Sequence, residues 1–139
     1  MKYKAKINCS FKIGGFKMIE YSPQNFEEKL AQFTGSDNVY WHAVGEMVFT
    51  DGVKFLADVA QCYWLLDIIG SYLIDPKIRE LPFQIWELKV NEDNSAVVTM
   101  KEDTDLPKVV RQEIPFTDFP LKEIKFYFTQ AILMLPSEY

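Results

Sequence analysis

The chain has 139 residues, a net charge of -5, and 48% hydrophobic against 25% charged residues. That is the length and balance of one globular domain, able to bury roughly two-thirds of its unfolded surface without a metal or disulfide to hold it. Residues 1–19 carry five lysines (Lys2, Lys4, Lys6, Lys12 and Lys17) and no acid, so the rest of the chain carries twice the net negative charge of the whole, which argues against direct nucleic-acid binding.

No apolar leader follows the N-terminal lysines, and the apolar run Cys62–Ile74 is too short to cross a bilayer and contains Asp67. A cytoplasmic protein without membrane contact is expected. Cys9 and Cys62 lie far apart, and one disulfide is formally possible; Cys62 opens the apolar run and reads better as a reduced, buried thiol.

In chain order, residues 3–13 alternate apolar and polar side chains, the period of a half-buried strand, with Gly14-Gly15 as a turn and Phe16–Tyr21 as a second strand. Ser22-Pro23, or Asn25 with Glu28, caps a helix whose Phe26, Leu30 and Phe33 share one face and which ends at Thr34-Gly35. Two short extended segments, Val39–His42 and Met47–Phe49, flank Gly45. Thr50 or Asp51 caps a helix that buries Val53, Leu56, Val59 and Ala60 and breaks at Gln61-Cys62. The run from Tyr63 to Leu73 is a helix apolar nearly all round, and so buried on most sides. Pro76 and Pro82 make residues 75–82 a loop.

Strands follow. Phe83–Val90 and Ala96–Met100 form a hairpin around Asn91–Asn94, and Val109–Phe116 is the next strand beyond a polar loop. Ile124–Thr129 and Ile132–Leu135 are two more, although Gln130-Ala131 between them carries no turn signal and one continuous element fits as well. The fold class is α+β: an N-terminal strand and helices packed on a C-terminal antiparallel sheet of about five strands, in one domain with residues 1–20 as a lysine-rich extension.

The candidate chemistry is sparse. His42 is the only histidine, so neither a three-ligand zinc site nor a triad is legible, and no phosphate loop, dinucleotide fingerprint or G-x-S-x-G elbow occurs. No cofactor, metal or catalytic residue is expected. Asp67 sits among Leu65, Leu66, Ile68 and Ile69, where a buried carboxylate needs a partner; it is either a structural acid or a pocket acid of raised pKa. Lys54 can pair with Asp51 or Asp58. Eleven Phe, seven Tyr and three Trp can fill a ring-rich core, but they exceed what so small a core strictly needs, and some are available for an interface. His42 beside Tyr40 and Trp41 is either a packed strand residue, the commoner arrangement, or part of an exposed aromatic contact strip. Trp41 or Trp64 with Lys54 or Arg111 would grip a planar anionic ligand. The acidic loops Glu92-Asp93 and Glu102–Asp105 can imitate DNA phosphates, although polar hairpin loops ordinarily contain such residues. The expected binding residues are thus Tyr40, Trp41, His42, Asp51, Lys54, Trp64, Asp67 and Arg111.

Five strings occur together in order: Phe33-Thr34-Gly35, Thr50-Asp51-Gly52-Val53, Tyr63–Ile69, Phe116–Leu121 and the terminal Leu135–Tyr139. They resemble a bacterial and phage domain family of unknown function met on mobile elements, over about residues 26–139. The family's usual glycine before the Y-W-L-L-D helix is Gln61 here. The resemblance implies a small protein that disarms host defence, and the chain is also similar to small anti-CRISPR inhibitors of type II RNA-guided nucleases. On that reading the partner is a host defence protein, and residues 3–13 offer an edge for a homodimer. A nucleotide-signal binder, and an enzyme using Asp67 or His42, are the alternatives.

Overall fold

The computed structural model of the chain describes residues 9–13, 17–35 and 37–139, with side chains from residue 22 onward. Strands β1 (Cys9–Ile13) and β2 (Lys17–Tyr21) form a two-stranded antiparallel sheet of their own. The other expectations for residues 1–16, including the Gly14-Gly15 turn, lie outside the described residues. Helix α1 (Pro23–Ala31) follows, then β3 (Val39–His42), β4 (Met47–Thr50), α2 (Asp51–Ala60), α3 (Tyr63–Leu73) and α4 (Pro76–Arg79). The second half contains β5 (Phe83–Val90), β6 (Ala96–Lys101), β7 (Lys108–Ile114), β8 (Glu123–Thr129), β9 (Ile132–Met134) and a closing 3-10 turn, Pro136–Glu138.

The fold is α+β, with a larger sheet than the sequence predicts. Seven strands run in the order β3-β4-β9-β8-β5-β6-β7, and β3 and β4 join from the first half because β4 pairs in parallel with β9. The sheet is therefore mixed rather than purely antiparallel. Gln130 and Ala131 both take positive φ (54° and 63°), the backbone of a tight hairpin turn, so β8 and β9 are separate strands.

Local sequence explains each helix. Ser22 Oγ accepts from Asn25 N–H at 3.2 Å and Pro23 fills the first turn, so Ser22 caps α1 rather than Asn25. Thr50 caps α2 by accepting from Val53 N–H. Residues 75–82 are not all loop: Asp75 accepts from Lys77 N–H at 3.0 Å and Pro76 opens the short α4. Helix α3 buries Leu65, Leu66, Ile69 and Leu73 but exposes Tyr63, Asp67 and Ser71 at i, i+4 and i+8, so its apolar face is one side and not the whole circumference.

The helices cover one face of the seven-stranded sheet. Phe49, Leu133, Phe126, Phe128, Trp86 and Leu88 point from that face into Phe26, Leu56, Leu65, Leu66 and Ile69, all buried. Each large side chain fully removed from water contributes about 1.5–3 kcal/mol. Cys62 lies fully buried in this core, its sulfur 3.9 Å from Leu56 O.

Gln61 ends α2 in the left-handed region (φ 52°, ψ 47°), with its N–H bonded to Ala57 O. That conformation costs a side chain about 1–2 kcal/mol and glycine almost nothing, while a new glycine loosens the unfolded chain by about 0.4–1 kcal/mol. The replacement Gln61→Gly is therefore expected to stabilise the fold by about 0.5 kcal/mol in urea denaturation.

Candidate functional site

The residues expected from sequence to bind a ligand divide between two faces of the sheet. On the helix-covered face, the edge strand β3 turns Tyr40 and His42 toward α2 and α3. Tyr40 Oη donates to Asp51 Oδ1 at 2.9 Å, and Lys54 Nζ lies 5.4 Å above the Tyr40 ring. Lys54 also pairs with Asp58 at 2.6 Å, and Tyr63 Oη donates to the other oxygen of that carboxylate at 2.6 Å. Asp67 Oδ1 accepts from His42 Nε2 at 2.8 Å. Phe49 underlies the group, edge-on to both His42 and Tyr63.

Five expected residues thus lie together in two groups: Tyr40, Asp51 and Lys54 are linked through Asp58 to Tyr63, and His42 pairs with Asp67, the Phe49 ring lying between; Asp58 and Tyr63 are not among the binding residues expected from sequence. Tyr63 stands four residues before Asp67, so helical spacing already placed it beside that acid. Asp67 is not the buried charge its neighbours in sequence suggest. Its side chain is 57% exposed, because it falls on the open stripe of α3, and it needs no compensating donor from the core.

Electrostatics in this network hold its phenols neutral. Tyr40 is raised above the ordinary phenol range, first by its hydrogen bond to Asp51 and then by burial. Tyr63 is raised further, first by burial and then by the Asp58 carboxylate it donates to. Both are therefore hydrogen-bond donors and not bases at neutral pH. Among the described residues, no nucleophilic side chain is hydrogen-bonded to the second ring nitrogen of His42, and no three His, Cys, Asp or Glu side chains group to hold a metal. The network ties β3 to α2 and α3, with most of its polar groups committed to one another.

The opposite face of the sheet has a different character. The strand register aligns Trp41 with Val48, Val48 with Ile132, Met134 with Tyr127, and Tyr127 with Ile85. This makes an apolar strip across five neighbouring strands, β3-β4-β9-β8-β5. Phe83, Tyr127 and the terminal Tyr139 form a three-ring cluster on it, with ring centres 5.0–5.5 Å apart. Trp41 is 65% exposed and Tyr139 74%, while Val48, Ile132, Met134, Tyr127 and Phe83 are half-buried and Ile85 is buried. Beyond the strip the face turns charged, with Glu87 opposite Lys125 and Lys89 opposite Glu123. No described helix covers this face, and α3 and the core lie behind the other.

The remaining expectations separate. Trp64 lies half-buried on α3 beside a cleft of about 260 Å³ shared with Ile114 and Phe116. Arg111 is an exposed charge on β7 paired with Glu113 at 2.7 Å. Neither Trp41 nor Trp64 is brought to Arg111 or Lys54 in any contact of the described residues. The acidic loops sit at opposite ends of β6, on the order of 20 Å apart by strand rise, so they do not form one anionic surface. Asp93 and Asp103 also accept hydrogen bonds from Ser95 and Thr104 within their own turns. A recess of about 560 Å³ opens beside the β3–β4 turn, where Arg79 commits its guanidinium to the carbonyls of Gly45 and Glu46.

The five strings have structural explanations. Gly70, inside the Y-W-L-L-D helix, meets the β3–β4 turn backbone to backbone: a Cβ there would stand 2.2 Å from Val44 O. The terminal L-P-S-E-Y folds back on T-D-G-V, and Glu138 accepts from Thr50 Oγ1 at 2.6 Å, Gly52 N–H at 3.2 Å and Leu135 N–H at 3.0 Å. Within F-T-D-F-P-L, Thr117 Oγ1 accepts from Phe119 N–H while Phe119 and Leu121 enter the core. A family model described as "Family of unknown function (DUF6876)" matches residues 24–139, from the first turn of α1 to the last residue. The chain belongs to that family. The match covers α1, the whole seven-stranded sheet and both clasps, and leaves β1 and β2 outside it. No curated protein and no solved structure matches the chain. Among the described residues, no helix is long and apolar enough to cross a membrane.

Proposed function

We propose that the protein is a non-catalytic binding protein that docks a protein partner on the uncovered face of its sheet, and that the partner is a host defence effector such as an RNA-guided nuclease. The observation that carries the binding is the aromatic and aliphatic strip running from Trp41 to Tyr139 over five strands. Within the strip Trp41 and Tyr139 stand open to water with half-buried apolar residues between them, and Trp, Tyr and Met are the residues that anchor protein interfaces. The class of partner rests on the resemblance of the five strings to small proteins of mobile elements. The charged half of the same face, with carboxylates and amines paired across strands, supplies a polar rim.

The network around His42 and Asp67 supports the binding reading in a second way. It holds the edge strand against the helices through polar contacts of its own members, which keeps Trp41 fixed on the opposite side. Mixing the purified protein with type II nucleases tests the proposal. The expected result is a co-eluting complex and lost DNA cleavage. The variants Trp41→Glu and Tyr139→Glu should remove both at unchanged melting temperature. Failure to bind any effector would overturn the partner class, and a complex that survives both variants would overturn the face.

A further inference from the structure

We propose that β7 pairs with β7 of a second copy of the chain, antiparallel and in a register centred on Gln112. One edge of the seven-stranded sheet is the short β3, of four residues; the other is β7, of seven, flanked by Pro107 and Pro115. An edge strand of that length presents unpaired backbone groups that another strand can complete, and the usual defence is charge on the edge. The charges on β7 have both signs and a definite order: Lys108, Arg111 and Glu113.

That order selects one register. Opposed residues in an antiparallel pair share a face, so symmetric pairing must centre on a residue. Centred on Gln112, Arg111 stands opposite Glu113 of the second copy and Glu113 opposite its Arg111, giving two cross-strand ion pairs. On the other face Val110, 5% exposed, meets the half-buried Ile114 of the second copy, and two glutamines meet in the middle. Centring on Arg111 sets like charges opposite each other and places Val110 against Gln112. Centring on Glu113 opposes two carboxylates and sets Arg111 against Pro115 instead of an acid. Opposite charges across strands favour pairing and like charges oppose it.

Within one chain Arg111 already holds Glu113 at 2.7 Å, with both side chains more than half exposed. The pair is thus free to exchange partners with little loss to the fold. The two-fold axis stands perpendicular to the sheet. The product is a continuous sheet of fourteen strands with helices on one side and both apolar strips on the other. This surface is separate from the strip of the proposed function, which begins at the opposite edge.

Sedimentation velocity of the full chain at micromolar concentrations tests the register. A dimer is expected for the wild type. R111E and E113R each set like charges face to face twice, and should weaken the dimer at least tenfold at unchanged melting temperature. The double variant R111E/E113R restores both cross-strand pairs and should restore the dimer. A second readout is Gln112→Cys, which should form a covalent dimer under mild oxidation because the two copies of this position are opposed. A monomeric wild type, a double variant that stays monomeric, or no cross-link at position 112 would each overturn the proposal. Retained partner binding by a monomeric variant would leave the proposed function standing, so the two ideas fail separately.

Discussion

Replacing Gly70 by alanine is expected to lower stability by about 3 kcal/mol, the upper range for forcing a group into packed space, and the melting temperature by about 10 °C. Helix propensity alone predicts the reverse, since alanine in a helix interior is favoured over glycine by about 1 kcal/mol. The steric term decides the sign. The new Cβ would lie 2.2 Å from Val44 O and 2.8 Å from Val44 C, and both are backbone atoms that cannot rotate away. Gly45 stands on the other side of the same contact with φ +80°, and a Cβ there would meet Gly70 Cα at 2.6 Å. The β3–β4 turn and α3 are thus pressed together through two glycines, and Arg79 holds the turn from below through the carbonyls of Gly45 and Glu46. Ser71→Ala, one residue along on the exposed side, serves as control and should change stability by less than about 0.5 kcal/mol. Thermal unfolding followed by circular dichroism reads both.

The second large effect is expected at the N-terminus of α2. Glu138→Ala removes a carboxylate that receives three hydrogen bonds, from Thr50 Oγ1, Gly52 N–H and Leu135 N–H. Bonds to a charged group contribute about 1.5–3 kcal/mol, and the first turn of a helix adds a favourable dipole for a negative charge. A loss of about 3 kcal/mol follows, read as a lower midpoint in urea with unchanged slope. Glu138→Gln keeps the shape and one acceptor oxygen, and should lose about half as much. Gly52 explains why the clasp is so close: a Cβ there would stand 2.6 Å from Glu138 Oε1 and 2.8 Å from Leu135 Cδ1. Thr50-Asp51-Gly52 and Leu135–Tyr139 are therefore two halves of one device, 86 residues apart where Gly52 meets Glu138.

These two sites show what the sequence could and could not reveal. Periodicity located β5 with Trp86 and Leu88 inward and α1 with Phe26 and Leu30 buried, because each depends on neighbours within a few residues. Asp75-Pro76 is likewise a local signal, a cap and first-turn pair, and α4 begins there. Asp67 was misjudged because counting apolar neighbours along the chain ignores direction. Along one helix face the neighbours stand four residues away, not one, and those are Tyr63 and Ser71, both exposed. The pairing of β4 with β9 was not legible at all. Strand period specifies which face is buried but not which strand lies alongside, and a parallel partner arrives from far along the chain. The β8–β9 turn uses Gln130 and Ala131 where glycine or asparagine would have announced it.

The site was legible as a set of residue types and illegible as an arrangement. Tyr40 and Trp41 are adjacent in sequence and on opposite faces of β3, so a strip made of both was geometrically excluded once that segment is a strand. Tyr40 entered the polar network with Asp51, and Trp41 entered the apolar strip with Val48. The contribution of Tyr139 required knowing that the C-terminus folds back over Phe83 and Tyr127.

Hydroxyl-radical footprinting of a complex with a defence nuclease tests the central claim most directly, because it reads side chains rather than backbone. Binding through the uncovered face predicts at least severalfold protection of Trp41, Tyr127, Met134 and Tyr139, with His42 and Tyr63 labelled as in the free protein. Protection of His42 and Tyr63 with Trp41 and Tyr139 still open would contradict it, and would move the binding surface to the polar network on the helical side.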